Sequence, residues 1–372
     1  MIMKARLAAC FVVLTNSLPA LPVFIGTNTG KDTASKGIYF ADFNPESGIL
    51  TEPKLAAEYQ NPGFLAQHPT KPVLLAVGAP NQRFADGTGS VAAFSIGADH
   101  ALIFLGEASS GGNGPCHLTV DATGRVVAIA NYGDGRIALV GLDQAGVPVK
   151  VLNAFSNMGK GPNAQRQECS HAHGVYFDRT NQYLFVPDLG LDRVHVYQAD
   201  FSSPEFSAVR QPLVTAPGAG PRHMAFSPDA KHAYVINELD GTVLAAKYEN
   251  GAFEPLGTVS TLPADFTGTN TTAEIEVHPN GDFVYASNRG HDSIAVFRRD
   301  PESGALTFIQ HAPCGGKTPR HFKIAPGGKW LLCGHQASHT ISVLPLDPPS
   351  GKLAAATCTV PSPSPICLLF AR

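Results

Sequence analysis

The stretch EIEVHPNGDFVYASN (274–288) decides the fold, because the same fifteen-residue unit recurs without a gap five more times. Two short apolar runs flank Pro279-Asn280-Gly281, residues that favour a tight hairpin turn. The other copies are FLAQHPTKPVLLAVG (64–78), HLTVDATGRVVAIAN (117–131), GVYFDRTNQYLFVPD (174–188), HMAFSPDAKHAYVIN (223–237) and HFKIAPGGKWLLCGH (321–335). Their sixth positions, Pro69, Ala122, Arg179, Pro228, Pro279 and Pro326, recur with a period of roughly fifty. A third, alternating strand follows each pair, as in SIAVFRRD (293–300) and TISVLPLD (340–347), usually with another turn and strand behind it. Each repeat is therefore a four-stranded antiparallel sheet, apolar on both faces. It cannot stand alone, and such sheets stack radially.

Six repeats are internal, and the termini supply a seventh. VFIGTNTG (23–30) and GIYFADFNPESGIL (37–50) read as the later strands of a repeat that lacks its first. SPICLLF (364–370) matches the opening strands GPCHLTV (114–120), GPRHMAF (220–226) and TPRHFKI (318–324), preceding Pro included. Joining the ends closes the ring and leaves no exposed sheet edge. The sequence predicts an all-β chain: a seven-bladed β-propeller closed by a blade shared between N- and C-terminal strands, one domain over 23–372.

Composition agrees with that reading. The chain has 372 residues with 37 Gly and 30 Pro, is 44% hydrophobic and only 15% charged. So many turn formers beside so few charges argue against long charged helices and against disorder. The formal net charge of −3 gives no reason to expect nucleic acid or an anionic membrane as partner; a monomer is expected.

Residues 1–22 differ from the rest. Lys4 and Arg6 precede an uncharged run, with small residues around Thr15–Ser17, the pattern of a secretory signal peptide. Export to a periplasm or the medium is expected, and a cytoplasmic location if the segment is not such a leader. Cysteines stand at 10, 116, 169, 314, 333, 358 and 367, none in a Cys-x-x-Cys pair, and read as isolated buried thiols. No ligand spacing stands out, so neither a metal nor another cofactor is expected.

The alignment also ranks positions. With strand one innermost, the residue just before it lies at the mouth of the central channel. That slot reads Gly63, Cys116, His173, Arg222, Ala273, Arg320 and Ile366. The residue just past strand two reads Ala79, Tyr132, Leu189, Glu238, Arg289 and Gln336. His173, Arg222, Glu238, Arg289 and Arg320 thus gather on one face of the mouth, from blades four to seven when the shared blade is numbered one. His171 and Glu168 lie in the loop leading there. His117, His223 and His321, one place further in, read as hydrogen-bonding residues between blades, and Asn131, Asn237 and Asn288 as residues that satisfy backbone groups. Three guanidiniums in one mouth repel unless an anion joins them, and arginine grips carboxylate or phosphate bidentately. A small anionic ligand is implied, with His173 and Glu238 as an acid/base pair.

IGTNTG (25–30), GPRHMAFSPD (220–229), INELDGTV (236–243), EIEVHPNGDFVYASNRGHDSIAVF (274–297) and TPRHFKIAPGGKWLL (318–332) together resemble the lactonase family of seven-bladed propellers. That family includes bacterial 6-phosphogluconolactonases and the fungal 3-carboxy-cis,cis-muconate lactonising enzyme. The resemblance implies a catalytic His, an Arg sixteen residues ahead of a Glu, and a further Arg, which fall on His173, Arg222, Glu238 and Arg289. Arg320 and His171 are expected to bind substrate beside Arg222. GHQASHT (334–340) departs from the family, which has Asn at that strand end. The reading that follows is hydrolysis of a small anionic sugar lactone. His173 would activate water while Glu238 orients it or protonates the leaving alkoxide. The alternatives are a lactonising cyclase and a non-catalytic anion-binding propeller.

Overall fold

The computed structural model describes residues 19–31, 33–79, 84, 87–199, 207–208 and 210–371. They form seven antiparallel sheets and no α-helix, so no helix among them could cross a membrane. Blade one pairs Pro365–Phe370 with Leu21–Thr27 and Gly37–Asn44, with Ile49–Leu50 and Lys54–Glu58 outside. Blade five is typical: Pro221–Phe226, His232–Asn237, Thr242–Glu249 and Ala252–Ser260 lie side by side in chain order. The expected ring and its shared blade are both present.

Two details differ from expectation. Pairing in blade one begins at Leu21, opposite Phe43, because Leu21 packs on the apolar layer around Val23 and Phe43. The propeller therefore starts two residues ahead of 23; the rest of the expected leader, residues 1–18, lies outside the described residues. In blade four the first strand shrinks to Tyr176–Phe177, and the preceding chain keeps only a single bridge, Ala172 to Asp188.

The core lies between blades. Phe283, Tyr285 and Ile294 of blade six pack against Phe322, Leu331 and Cys333 of blade seven. Val23, Ile25 and Phe43 of blade one meet Leu332 and Ile341 of blade seven. Each buried side chain of this size contributes roughly 1.5–3 kcal/mol of transfer free energy, so neighbouring sheets are held face to face.

Side chains along the axis link neighbouring first strands. His117 Nδ1 accepts from the Val175 amide and His321 Nδ1 from the Leu368 amide, both at 3.3 Å. His223 Nδ1 donates to Glu274 Oε2 at 3.0 Å. These histidines are the inter-blade hydrogen-bonding residues expected of them.

Candidate active site at the channel mouth

A recurring backbone device aims the slot residues. In blade five Pro221 pairs with Asn237 and His223 with Ile236, which leaves Arg222 as an extra, unpaired residue. In blade seven Pro319 pairs with His335 and His321 with Gly334, which leaves Arg320. Cys116 and Ile366 are extra in the same way. Such bulges turn a side chain out of the strand's alternation. Two residues ahead of each bulge the chain is left-handed, at Gly114, Gly220, Thr318 and Ser364, with φ between 43° and 66°. This turn and the following Pro set where strand one begins.

Glu238 is the centre of the arrangement. Its Oε1 accepts from Arg166 Nη2 at 2.7 Å. Its Oε2 lies 3.0 Å from both Arg222 Nε and Arg289 Nη2. His173 Nε2 stands 3.9 Å from the same oxygen. The frame is tied to backbone: Arg222 Nη1 donates to Ala273 O and Arg289 Nη2 to Thr272 O, each at 2.6 Å. Nε of Arg222 and of Arg289 are nevertheless buried without an aligned hydrogen bond. Arg320 has no carboxylate partner among the described residues; its hydrogen bond goes to Gln336 Oε1 at 3.5 Å. A cleft of about 510 Å³ opens over His173, Glu238, Arg166, Arg289 and Arg320. A second of about 240 Å³ shares Cys116 and Arg320 with it and reaches Arg222.

Three guanidiniums around one carboxylate, with a fourth nearby, set the charge states. Burial alone would raise the Glu238 carboxyl, but Arg289, Arg222 and Arg166 overcome it and hold it at about 2. Burial, then Arg222, His223 and Arg320, push His173 well below an ordinary imidazole, so it is neutral at neutral pH. Burial, Arg222 and Arg289 pull Arg320 down to about 9. Arginine keeps its proton in proteins, so the meaning of this shift is a strained positive charge that an incoming anion would relieve. Burial also pushes the Cys116 thiol up to about 12, which makes it inert as a nucleophile.

The family described as "Lactonase, 7-bladed beta-propeller" matches residues 22–370. The chain belongs to this lactonase family. It is 35% identical over 350 residues to a 6-phosphogluconolactonase of Bacillus subtilis, covering 93% of this chain and 97% of the relative. A 6-phosphogluconolactonase of Formosa agariphila is 33% identical, over 81% of this chain and 85% of its own. Among solved structures, the periplasmic gluconolactonase of Pseudomonas aeruginosa superposes with a TM-score of 0.87 at 29% identity, covering 95% of this chain and 99% of that one.

In this lactonase-family propeller His173, Arg222, Glu238, Arg289 and Arg320 converge as expected. His171 does not join them. Its Nδ1 donates to Tyr132 O at 2.7 Å, its Nε2 meets Glu168 Oε1 at 3.2 Å, and its ring stacks on Tyr132 at 4.6 Å. It packs on Tyr132, which lines the cleft, and does not line the cleft itself, where substrate binding was expected of it. His171→Ala should therefore lower kcat/KM only several-fold, through Tyr132; a loss as large as that of His173→Ala would put the imidazole in contact with substrate.

Arg166 and Tyr132 are the additions. Arg166 Nη2 also donates to the Tyr132 hydroxyl at 3.1 Å, which joins blade three to the Glu238 carboxylate. Tyr132 occupies an aligned slot, but its neutral side chain gave no electrostatic signal. Arg166 lies in the irregular segment between blades three and four, where no repeat marks it. Nearby, Glu168, Cys169 and His171 bring a carboxylate, a thiol and an imidazole within 4.8 Å of one another, although Glu168 is exposed.

Proposed function

We propose that this protein hydrolyses a small anionic sugar lactone of the 6-phosphogluconolactone type. The observation that carries the reading is Arg320: a guanidinium strained by burial and by two neighbouring arginines, in the cleft, with no carboxylate of its own among the described residues. A phosphate there gains bidentate, charge-assisted hydrogen bonds. The relatives named 6-phosphogluconolactonase support the same class of substrate.

His173 acts as general base on a water at the lactone carbonyl. As the carbonyl oxygen becomes an alkoxide, the Arg222 and Arg289 guanidiniums stabilise its charge. When the ring C–O bond breaks, the imidazolium returns its proton to the leaving alkoxide, so His173 ends neutral. Glu238, held as a carboxylate, keeps the guanidiniums in place and faces the transient imidazolium. A carboxyl held near 2 carries almost no proton at neutral pH, so His173 rather than Glu238 supplies the proton.

Arg320→Ala tests the anchor. KM for 6-phosphogluconolactone should rise about 10- to 100-fold, the worth of a charge-assisted hydrogen-bonded pair, while the unphosphorylated lactone is barely affected. Added salt should weaken binding of the phosphorylated lactone alone. Equal effects on both lactones, or none, would remove the phosphate from this position.

A further inference from the structure

The blades share a clasp at the end of strand two, and one blade has changed its chemistry. In blade three the Ser110 hydroxyl donates to Asn131 Oδ1 at 2.8 Å, and Asn131 Nδ2 donates back to Ser110 O at 3.0 Å. Thr261 and Asn288 repeat both bonds at 2.7 and 2.8 Å. Blade seven keeps the frame, with His335 Nε2 donating to Cys314 O at 3.0 Å. There the hydroxyl residue has become Cys314 and the Asn has become His335. Cys333, two residues earlier, points to the same face of the strand. This is the strand end GHQASHT that departs from the other repeats.

The outcome is a trio whose ligand atoms, two thiol sulfurs and one imidazole nitrogen, lie within 4.8 Å of one another. All three residues are fully buried. A tetrahedral ion with sulfur at about 2.3 Å and nitrogen at about 2.0 Å needs ligands roughly 3.5–3.8 Å apart, so the triangle closes with shifts of an ångström or less. The Asp292 and Gly316 carbonyls, 3.0 and 3.2 Å from Cys314 Sγ, accept from its thiol and supply nearby oxygens. The His335 ring is already oriented by its Nε2–H, which donates to the Cys314 carbonyl; Nδ1 would exchange its 3.3 Å contact with the Thr340 hydroxyl for the ion. Metal-bound imidazoles are commonly held by such outer contacts. Around the trio stand Tyr285, Ile294 and Phe322. Cys314 and Cys333 are therefore neighbours rather than the isolated thiols expected from their spacing, while all the described cysteines are free.

We propose that Cys314, Cys333 and His335 form a buried structural site for Zn²⁺ that ties the outer strand of blade six to blade seven. On binding, both thiols give their protons to solvent and become thiolates. Two thiolates and a neutral imidazole cancel the charge of Zn²⁺, which a dry apolar core requires. Cu⁺ suits the same sulfur ligands but would leave a buried negative charge.

The test uses the full-length protein, reduced, stripped with a chelator and reloaded with Zn²⁺, or with Co²⁺ as a spectroscopic probe. One Zn²⁺ per chain, two thiols protected from a thiol reagent and a thiolate-to-Co²⁺ charge-transfer band are expected. Cys333→Ala should weaken retention by about ten-fold or more. The double variant Cys314→Ser with His335→Asn rebuilds the clasp of blades three and six, so it should fold and lose the band. Any of three results would overturn the site: both thiols reactive with no Zn²⁺ held by folded protein, retention unchanged in the double variant, or a Cys314–Cys333 disulfide in the isolated protein. Stoichiometric Cu⁺ binding without Zn²⁺ retention would overturn the assignment of the ion.

Discussion

His173→Ala should lower kcat for lactone opening by roughly 10²- to 10⁴-fold, the usual worth of a positioned acid/base group, with KM shifted little. The asymmetry follows from placement. His173 faces the Glu238 carboxylate at 3.9 Å and carries no charge that would hold the ground-state anion. The pH profile adds a signed test. Because the neutral form is the base and its pKa lies below that of an ordinary imidazole, kcat/KM should hold as pH falls through 6.5 and decline only lower. A bound phosphate cancels part of the field of Arg222 and Arg320 that disfavours the imidazolium, so substrate raises this pKa. The acid limb of kcat should then lie at higher pH than that of kcat/KM, since the first reports the complex and the second the free enzyme. Unchanged kcat in the variant would remove His173 from the chemistry. Coincident limbs would remove the electrostatic link to the anion.

Glu238→Gln should destabilise the fold by roughly 3–5 kcal/mol, the range for breaking a buried ion pair from one side. The substitution keeps the shape and leaves Arg166, Arg222 and Arg289 facing a neutral amide. The sign of the pH dependence follows from the depressed carboxyl. Its pKa falls from 4.5 to about 2 on folding, so its contribution is complete above 4.5 and is lost as pH falls towards 2. That contribution is roughly 3 kcal/mol, and the Gln variant should lack this part of the acid-unfolding slope. Inorganic phosphate should stabilise the variant more than the parent, because the competing carboxylate is gone and ligand bound to the native state adds to stability. Urea unfolding at pH 7, pH 4 and pH 3, with and without phosphate, measures all of this. Equal stability and equal acid slopes would mean that the carboxylate is not what holds the arginines.

The ring and its closure were legible because each blade must solve the same packing problem, and similar solutions leave a period. The slot residues were legible for the same reason. Once fifteen positions align, an Arg at 222 or 320 stands out against Cys116 or Ile366. The bulge that aims them was not, since an unpaired residue in a strand leaves no mark beyond the preceding Pro. Arg166 was hidden because its loop is free of the repeat. His171 is two residues from His173, yet it packs on Tyr132 instead of lining the cleft, a separation that spacing alone does not reveal. The trio of Cys314, Cys333 and His335 escaped because its members are spaced by the sheet, nineteen and two residues apart, rather than by a metal-binding turn.

The shared blade carries a consequence for the order of assembly. Val23 pairs with Phe370 across nearly the whole chain, whereas Arg222, Glu238 and Arg289 are brought together by blades adjacent in sequence. Contacts of long separation are slow to form, because loop-closure entropy is lost before the contact is gained. The arginine and carboxylate cluster can thus condense while the circle is still open, with latching of Pro365–Phe370 against Leu21–Thr27 as the late step. A chain caught before that step would expose the free edge of Leu21–Thr27, a template for pairing with a second molecule. Misassembly in this protein should therefore start at the seam between its two ends.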